Sequence, residues 1–492
     1  MEINYFASLY SYVLSEFSIE GNARLTQIGN YYLYTDYNTK IDSCVMKNRQ
    51  MVILGDIVNV YDGSSKDISR TILLRGNDIN SIIECEREYG GKYIIFYINE
   101  NSMYILGDAT CSIPIMYAFI NDKIVCSSNG EWIAKNFNLN ESTDLLKIRR
   151  KSDISQAMPG DVSTYSEIKQ LLPNHYISIS DRKSIRYINS NEDQKKISIE
   201  DAVEYTDPLI CNMLKYYDSQ YDIYCPITSG RDSRVVLAYL SKYSKKTVYS
   251  YTIQHDQFSP LNQEIEIPRK LSSLLNVSHE VIQDETIPDN IKEYFDNLLG
   301  KDKYSFRTLR IAYTILKHYS NGAIVNGDII GQVGKCSLHR DIPNALATPR
   351  YFRCKMHNYS NESLKIIADW LSEIKISGEK VNVFDLFSVE NRLGRWASQE
   401  NLIYNEMGQR YFNIFNSRSI IYTWTAVARK DRKKSLIQRG LIKKIQPVLL
   451  KIPFEQDSLI AEISKLNGVT YYIASMVKYM VQKIIFFIRK KR

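Results

Sequence analysis

Six consecutive residues just before the midpoint, Thr228-Ser229-Gly230-Arg231-Asp232-Ser233, gather the groups that hold a phosphate. The hydroxyls are donors, and Gly230 lets the backbone close on an anion. Asp232 repels a bare phosphate, so it fits only if a magnesium ion bridges carboxylate and phosphate. A strand-like apolar run, residues 221–227, leads into the loop, and residues 234–240 leave it as a buried helix. Strand, small polar loop and helix is the order that aims backbone N–H groups at an anion.

The loop resembles the Ser-Gly-Gly-x-Asp-Ser signature of PP-loop synthetases, which split ATP into AMP and pyrophosphate. Its surroundings are most similar to the asparagine-synthetase branch. Thr228 stands for the first Ser and keeps the hydroxyl; Ser229 stands for the first Gly and adds a side chain. In residues 262–282, Glu264 resembles the family's acid at the head of the helix after the second strand. Asn326 to Lys335, NGDIIGQVGK, sits where the family has its second pyrophosphate and magnesium loop, Ser-Gly-x-Gly-x-Asp-Glu. Gly331 and Gln332 occupy the Asp-Glu places there, and Asp328 offers a carboxylate from another position.

The resemblance implies ATP and pyrophosphate contacts from Thr228, Ser229, Gly230, Asp232, Ser233, Gly327 and Gln332. It also implies catalysis at Asp232 and Mg2+ on Asp232 and Asp328. The product would be an amide: a small-molecule carboxylate would be adenylylated with loss of pyrophosphate, and ammonia or an amine would then displace AMP. Residues 384–406 and 415–454 resemble a subgroup often linked to bacterial surface-polysaccharide gene sets. On an α-helix Arg392, Arg395 and Trp396 share one face. Arg392 and Arg395 are therefore substrate candidates, against the plainer reading of a helix packed by its Trp with arginines at the surface.

The elements around the loop alternate. Strand-like runs at 246–253, 278–282 and 322–326 and a helical pattern at 264–276 predict a parallel α/β sheet, with ligands at the carboxyl ends of its strands. A helical pattern over 200–217 precedes them. The first 188 residues read as β-rich, with hairpins expected from 90–98 with 103–108 and from 113–118 with 123–128. Residues 85–185 resemble the glutamine amidotransferase domain that precedes asparagine-synthetase modules. That family's nucleophile is a cysteine at the mature N-terminus; here residue 2 is Glu2 and the first cysteine is Cys44. No glutaminase nucleophile is expected. His175 reads as structural.

The expected fold is therefore α/β: a layered, β-rich Ntn-hydrolase-like domain (1–188), a polar linker (189–199) and a PP-loop synthetase domain (200–465). The tail, 466–492, reads as an amphipathic helix. Its apolar runs are broken by Lys478 and Lys483 and are each too short to span a bilayer, and it ends in Arg489-Lys490-Lys491-Arg492. Two placements follow for it, docking on the domain or lying at the inner face of a membrane.

Composition narrows the rest. Hydrophobic residues at 44% and charged residues at 24% are ordinary for a globular chain of 492 residues. A net charge of +8, concentrated in clusters such as 429–434, points to local anion contact and not to nucleic acid. The eight cysteines show no C-x-x-C, and no His pair stands at metal spacing, so zinc is not expected. With no leader pattern at the start, the chain reads as cytoplasmic; a homodimer is compatible with all of this. The altered second loop and absent nucleophile leave a second function open: a non-catalytic relative acting as a binding or scaffold protein in envelope-glycan assembly.

Overall fold

A computed structural model describes residues 9–19, 23–100, 102–152, 158–187, 196–255, 262–301, 303–319, 322–376, 382–454 and 467–491. Glu2 lies outside the described residues. So does most of the expected linker.

Alternation drives the first half. Along Arg49–Asn59 and Tyr89–Asn99, Val52, Leu54, Ile94 and Phe96 point to one side, while Met51, Ile53, Ile95 and Tyr97 point to the other. Both faces are covered. The helices Ile68–Arg75 and Ile79–Glu86 pack on the outer face through Ile68, Ile72 and Ile82. The inner face meets a second sheet carrying Tyr12, Leu14 and Cys126.

Each sheet has six antiparallel strands. One runs Lys169–Gln170, Met116–Ile120, Lys123–Ser127, Tyr12–Ser15, Tyr31–Thr35, Arg24–Ile28. The other runs Lys183–Arg186, His175–Ser178, Ser102–Gly107, Tyr89–Asn99, Arg49–Asn59, Ile41–Met46. Both expected hairpins form, with Tyr97 opposite Tyr104 and Tyr117 opposite Cys126. The second starts at Met116 and not at 113, because Pro114 has no N–H to give a ladder.

The second half carries a five-stranded parallel sheet. Its order is Ser278–Gln283, Tyr249–Gln254, Ile223–Pro226, Ala323–Asn326, Arg410–Asn413. The sheet leaves and returns through Asp232–Tyr243, Gln263–Leu274 and Phe306–His318, among other helices. The fold is thus α/β, a layered antiparallel β domain followed by a parallel-sheet α/β domain. One hydrophobic core runs through both, from Leu14 and Phe96 to Tyr217, Val325 and Trp424. The helix Ile199–Gln220 starts on the last residue of the expected linker. The Ser198 hydroxyl fixes that start by accepting from the Asp201 N–H.

The tail is a single helix, Gly468–Lys491. It runs through Lys478 and Lys483 without a break, since lysine is a good helix former. Among the described residues one helix, Gly468–Arg489, is long and apolar enough to cross a membrane by length and composition alone.

Candidate nucleotide site

Ile227 leaves the central strand by donating its N–H to Tyr251 O at 2.8 Å, and the polar loop follows. The loop closes on itself. Thr228 N–H donates to Ser233 Oγ, and Gly230 N–H donates to Thr228 Oγ1, both at 3.2 Å. Ser229, the departure from the family pattern, is fully buried and has found a partner in Glu264. Its N–H donates to Oε2 at 3.1 Å and its hydroxyl to Oε1 at 2.7 Å. Glu264 is held in turn by Asn262, which caps the helix Gln263–Leu274.

Asp232 is the first residue of the helix Asp232–Tyr243, where a negative charge suits the helix dipole. Gln438 Nε2 donates to its Oδ1 at 2.9 Å and to Ile330 O at 3.2 Å, tying the two loops together. A Cβ on Gly331 would lie 2.8 Å from Asp232 Oδ2, and one on Gly327 would lie 3.0 Å from the Asp232 carbonyl. At Gly331, where the sequence resemblance leads one to expect an acid, the Asp232 carboxylate fills the space a side chain would need.

The second loop leaves the strand Ala323–Asn326 and winds into a π-helical turn, Ile330–Gly334. Asp328 N–H donates to Asn326 Oδ1 at 3.0 Å, and Tyr411 OH donates to Asp328 Oδ2 at 3.4 Å. Burial pushes the Asp328 carboxyl up to about 6; the Tyr411 hydrogen bond opposes this and the Asp232 charge adds to it. Burial also raises Asp232, against the pull of Lys335 and the Gln438 hydrogen bond. Neither carboxylate has an ion-pair partner among the described residues. Gln332 Oε1 is buried without a hydrogen-bond partner among the described residues.

These groups line one cavity of about 610 Å³ at the carboxyl ends of the parallel strands. Thr228, Gly230, Asp232 and Ser233 come from the first loop, and Gly327, Asp328 and Gln332 from the second. Arg307, Trp396, Tyr404 and Tyr411 form part of the remaining wall. Among the described residues no group of three His, Cys, Asp or Glu side chains could hold a metal unaided. Two carboxylates with no ion-pair partner among the described residues do fit Mg2+, which takes one or two carboxylates and completes its shell with phosphate oxygens and water.

No family model matches this chain, and no curated protein matches it. Among solved structures it is similar to NMN synthetase from Francisella tularensis, at 10% identity and a TM-score of 0.21, over 42% of this chain and 94% of that one. It is similar to an allosteric regulatory enzyme of purine biosynthesis at 11% identity and a TM-score of 0.24, over 56% and 59%. It is also similar to glutamine phosphoribosylpyrophosphate amidotransferase from B. subtilis at 10% identity and a TM-score of 0.21, over 58% and 64%. Likeness this slight leaves the fold to be read from the chain's own sheets.

The two arginines expected to share a face do not. Ser388–Ala397 is π-helical, so the residue four on stays on the same side while the residue three on falls behind. Arg392 stacks on Trp396, 3.9 Å from the ring centroid, with no hydrogen bond or ion pair among the described residues. Arg395 turns to the other domain and donates to Met158 O at 3.2 Å, Val162 O at 2.6 Å and Gln170 Oε1. Its placement is that of a bolt between domains, away from the cavity. His175 is buried against Pro173 O and Glu373, as expected of a structural histidine.

Several residues on the cavity wall or acting on its carboxylates carried no sequence signal. Gln438 lies 206 positions from the aspartate it holds. Arg307 and Tyr411 sit outside every motif. Glu400 is eight residues beyond Arg392, whose charge it feels; burial pushes its carboxyl up to about 7 while Thr308 Oγ1 donates to Oε1 at 2.7 Å.

Proposed function

We propose that this chain is an ATP-dependent amide-forming ligase that activates a carboxylate by adenylylation. The observation that carries the reading is the convergence of the two loops, Thr228–Ser233 and Gly327–Gln332, on one cavity at the strand ends. In this reading Thr228, Gly230 and Ser233 would hold phosphate oxygens, and Asp232 and Asp328 would hold Mg2+, whose charge would offset that of the phosphates. The substrate carboxylate attacks the α-phosphorus and pyrophosphate leaves. An amine or ammonia then attacks the acyl carbon, AMP leaves, and the amine's proton passes to a carboxylate of the wall. Arg392, stacked but unbonded, suits an anionic group of the substrate.

One observation favours the non-catalytic alternative: Gly331 and Gln332 remove two charges from the second loop. Pyrophosphate release separates the two readings. Incubation with ATP, Mg2+ and a panel of carboxylates and amines should release pyrophosphate in the wild type and not in Asp232→Asn. Tight ATP–Mg binding with no pyrophosphate from any pair would favour the binding protein.

A further inference from the structure

The tail helix is docked along its length by one face only. Tyr471 and Ser475 accept from Lys355 Nζ at 3.1 and 3.0 Å, and Tyr479 OH donates to Asn358 O at 2.6 Å. Phe486 packs on Tyr359, 4.9 Å between centroids. Contacts at 471, 475, 479 and 486 fix the helix flat against the protein, so it does not project from it.

Among the described residues the opposite face has no protein partner. Ile473, Val477, Met480, Val481, Ile484 and Ile488 are each half exposed or more, Ile484 at 61%. Scattered exposed apolar side chains are ordinary, but a continuous stripe over four turns is the mark of an interaction surface. Winding at about 3.6 residues per turn puts Lys478 on one shoulder of this stripe and Lys483 on the other. Residues 468–492 contain six basic residues and no acidic one.

We infer that this face rests on an anionic lipid bilayer, with the helix in the interfacial plane. Charge selects the occupant. A second copy of the same helix would set basic shoulder against basic shoulder with no acid to answer them, whereas anionic headgroups answer both. Lysines at the shoulders can extend their amines to the headgroups while the stripe enters the acyl boundary. Spanning is disfavoured, because it would strip the Lys355, Asn358 and Tyr359 contacts and bury both lysines in hydrocarbon. The inference is independent of the ligase reading, since none of its residues lines the nucleotide cavity.

The test is flotation of the full chain with phosphatidylcholine vesicles, with and without phosphatidylglycerol. The wild type should float with the anionic vesicles, less so at high salt, and little with the neutral ones. Ile473→Asp with Ile484→Asp should cut the bound fraction by more than about tenfold. Both positions are exposed, so the thermal midpoint and the ATP–Mg affinity should stay as in the wild type. No flotation of the wild type, or flotation unchanged by the double variant, overturns the inference. So does a dimer in solution that the double variant dissolves, which would assign the face to a second copy.

Discussion

Buried charge is handled in opposite ways at the seam between the domains and in the cavity of the parallel-sheet domain. At the seam Arg418 meets Glu86 at 2.8 Å, Arg186 meets Glu390 at 2.9 Å, and Arg395 spreads its donors over Met158, Val162 and Gln170. The space left around Arg395 is about 70 Å³. In the cavity, about 610 Å³, Asp232 and Asp328 have no ion-pair partner among the described residues, and Arg392 stacks on the wall residue Trp396 with no hydrogen bond among them. A buried charge without a counter-ion costs stability, so two carboxylates left in this way beside a cavity are the arrangement expected if a bound ligand supplies the cation.

The largest effect should come from breaking the seam. Arg418→Met leaves Glu86 buried without its cation and should cost ~3–5 kcal/mol in urea unfolding. Arg392→Met should cost under ~1 kcal/mol, since no hydrogen bond is lost. Equal losses at the two sites would erase the contrast. Next, Ser229→Ala removes a hydroxyl bonded to a carboxylate and should cost ~1.5–3 kcal/mol in stability. A neutral outcome would mean that Glu264 does not brace the loop.

Glu400 gives the comparison a pH axis. Its carboxyl is raised from 4.5 to about 7 in the folded protein, with burial as the main cause. The folded state therefore holds the proton more tightly than the unfolded one. The stability this contributes is complete below about 4.5 and is lost as pH rises through about 7. The loss should be ~1–3 kcal/mol across that window without ligand, and Glu400→Gln should flatten it. A stability rising with pH over the same window, unchanged by Glu400→Gln, would contradict the assignment. The smallest effect is expected at Gln332→Glu, which places a charge on the cavity wall and should tighten ATP–Mg binding a few-fold. No change would place Gln332 away from the bound metal.

What was legible in the sequence was local. Residues 228–233 are contiguous, so a small polar loop between a strand and a helix could be read before any fold is known. The alternating runs of the first domain and the β-branched runs of the second announce their sheets in the same way. What stayed hidden depended on distant partners or on unusual winding. Ser229 looks like a defect until Glu264, 35 positions on, accepts its hydroxyl. Gly331 looks like a lost acid until Asp232 is found 2.8 Å from where its Cβ would stand. Arg395 was placed beside Arg392 by α-helical spacing, and a π-helical stretch sent it to the other domain. For the tail, the apolar stripe was readable, but only the structure shows the aromatic face opposite it docked on residues 355–359.

The central claim is that the cavity binds ATP together with magnesium, and calorimetry with a non-hydrolysable ATP analogue tests it most directly. Binding should be clear with Mg2+ and much weaker in chelator. Asp232→Asn should lose the difference, because the amide keeps the size but not the charge that neutralises the cation. No nucleotide binding at millimolar concentration, or binding indifferent to both magnesium and Asp232, would contradict the account.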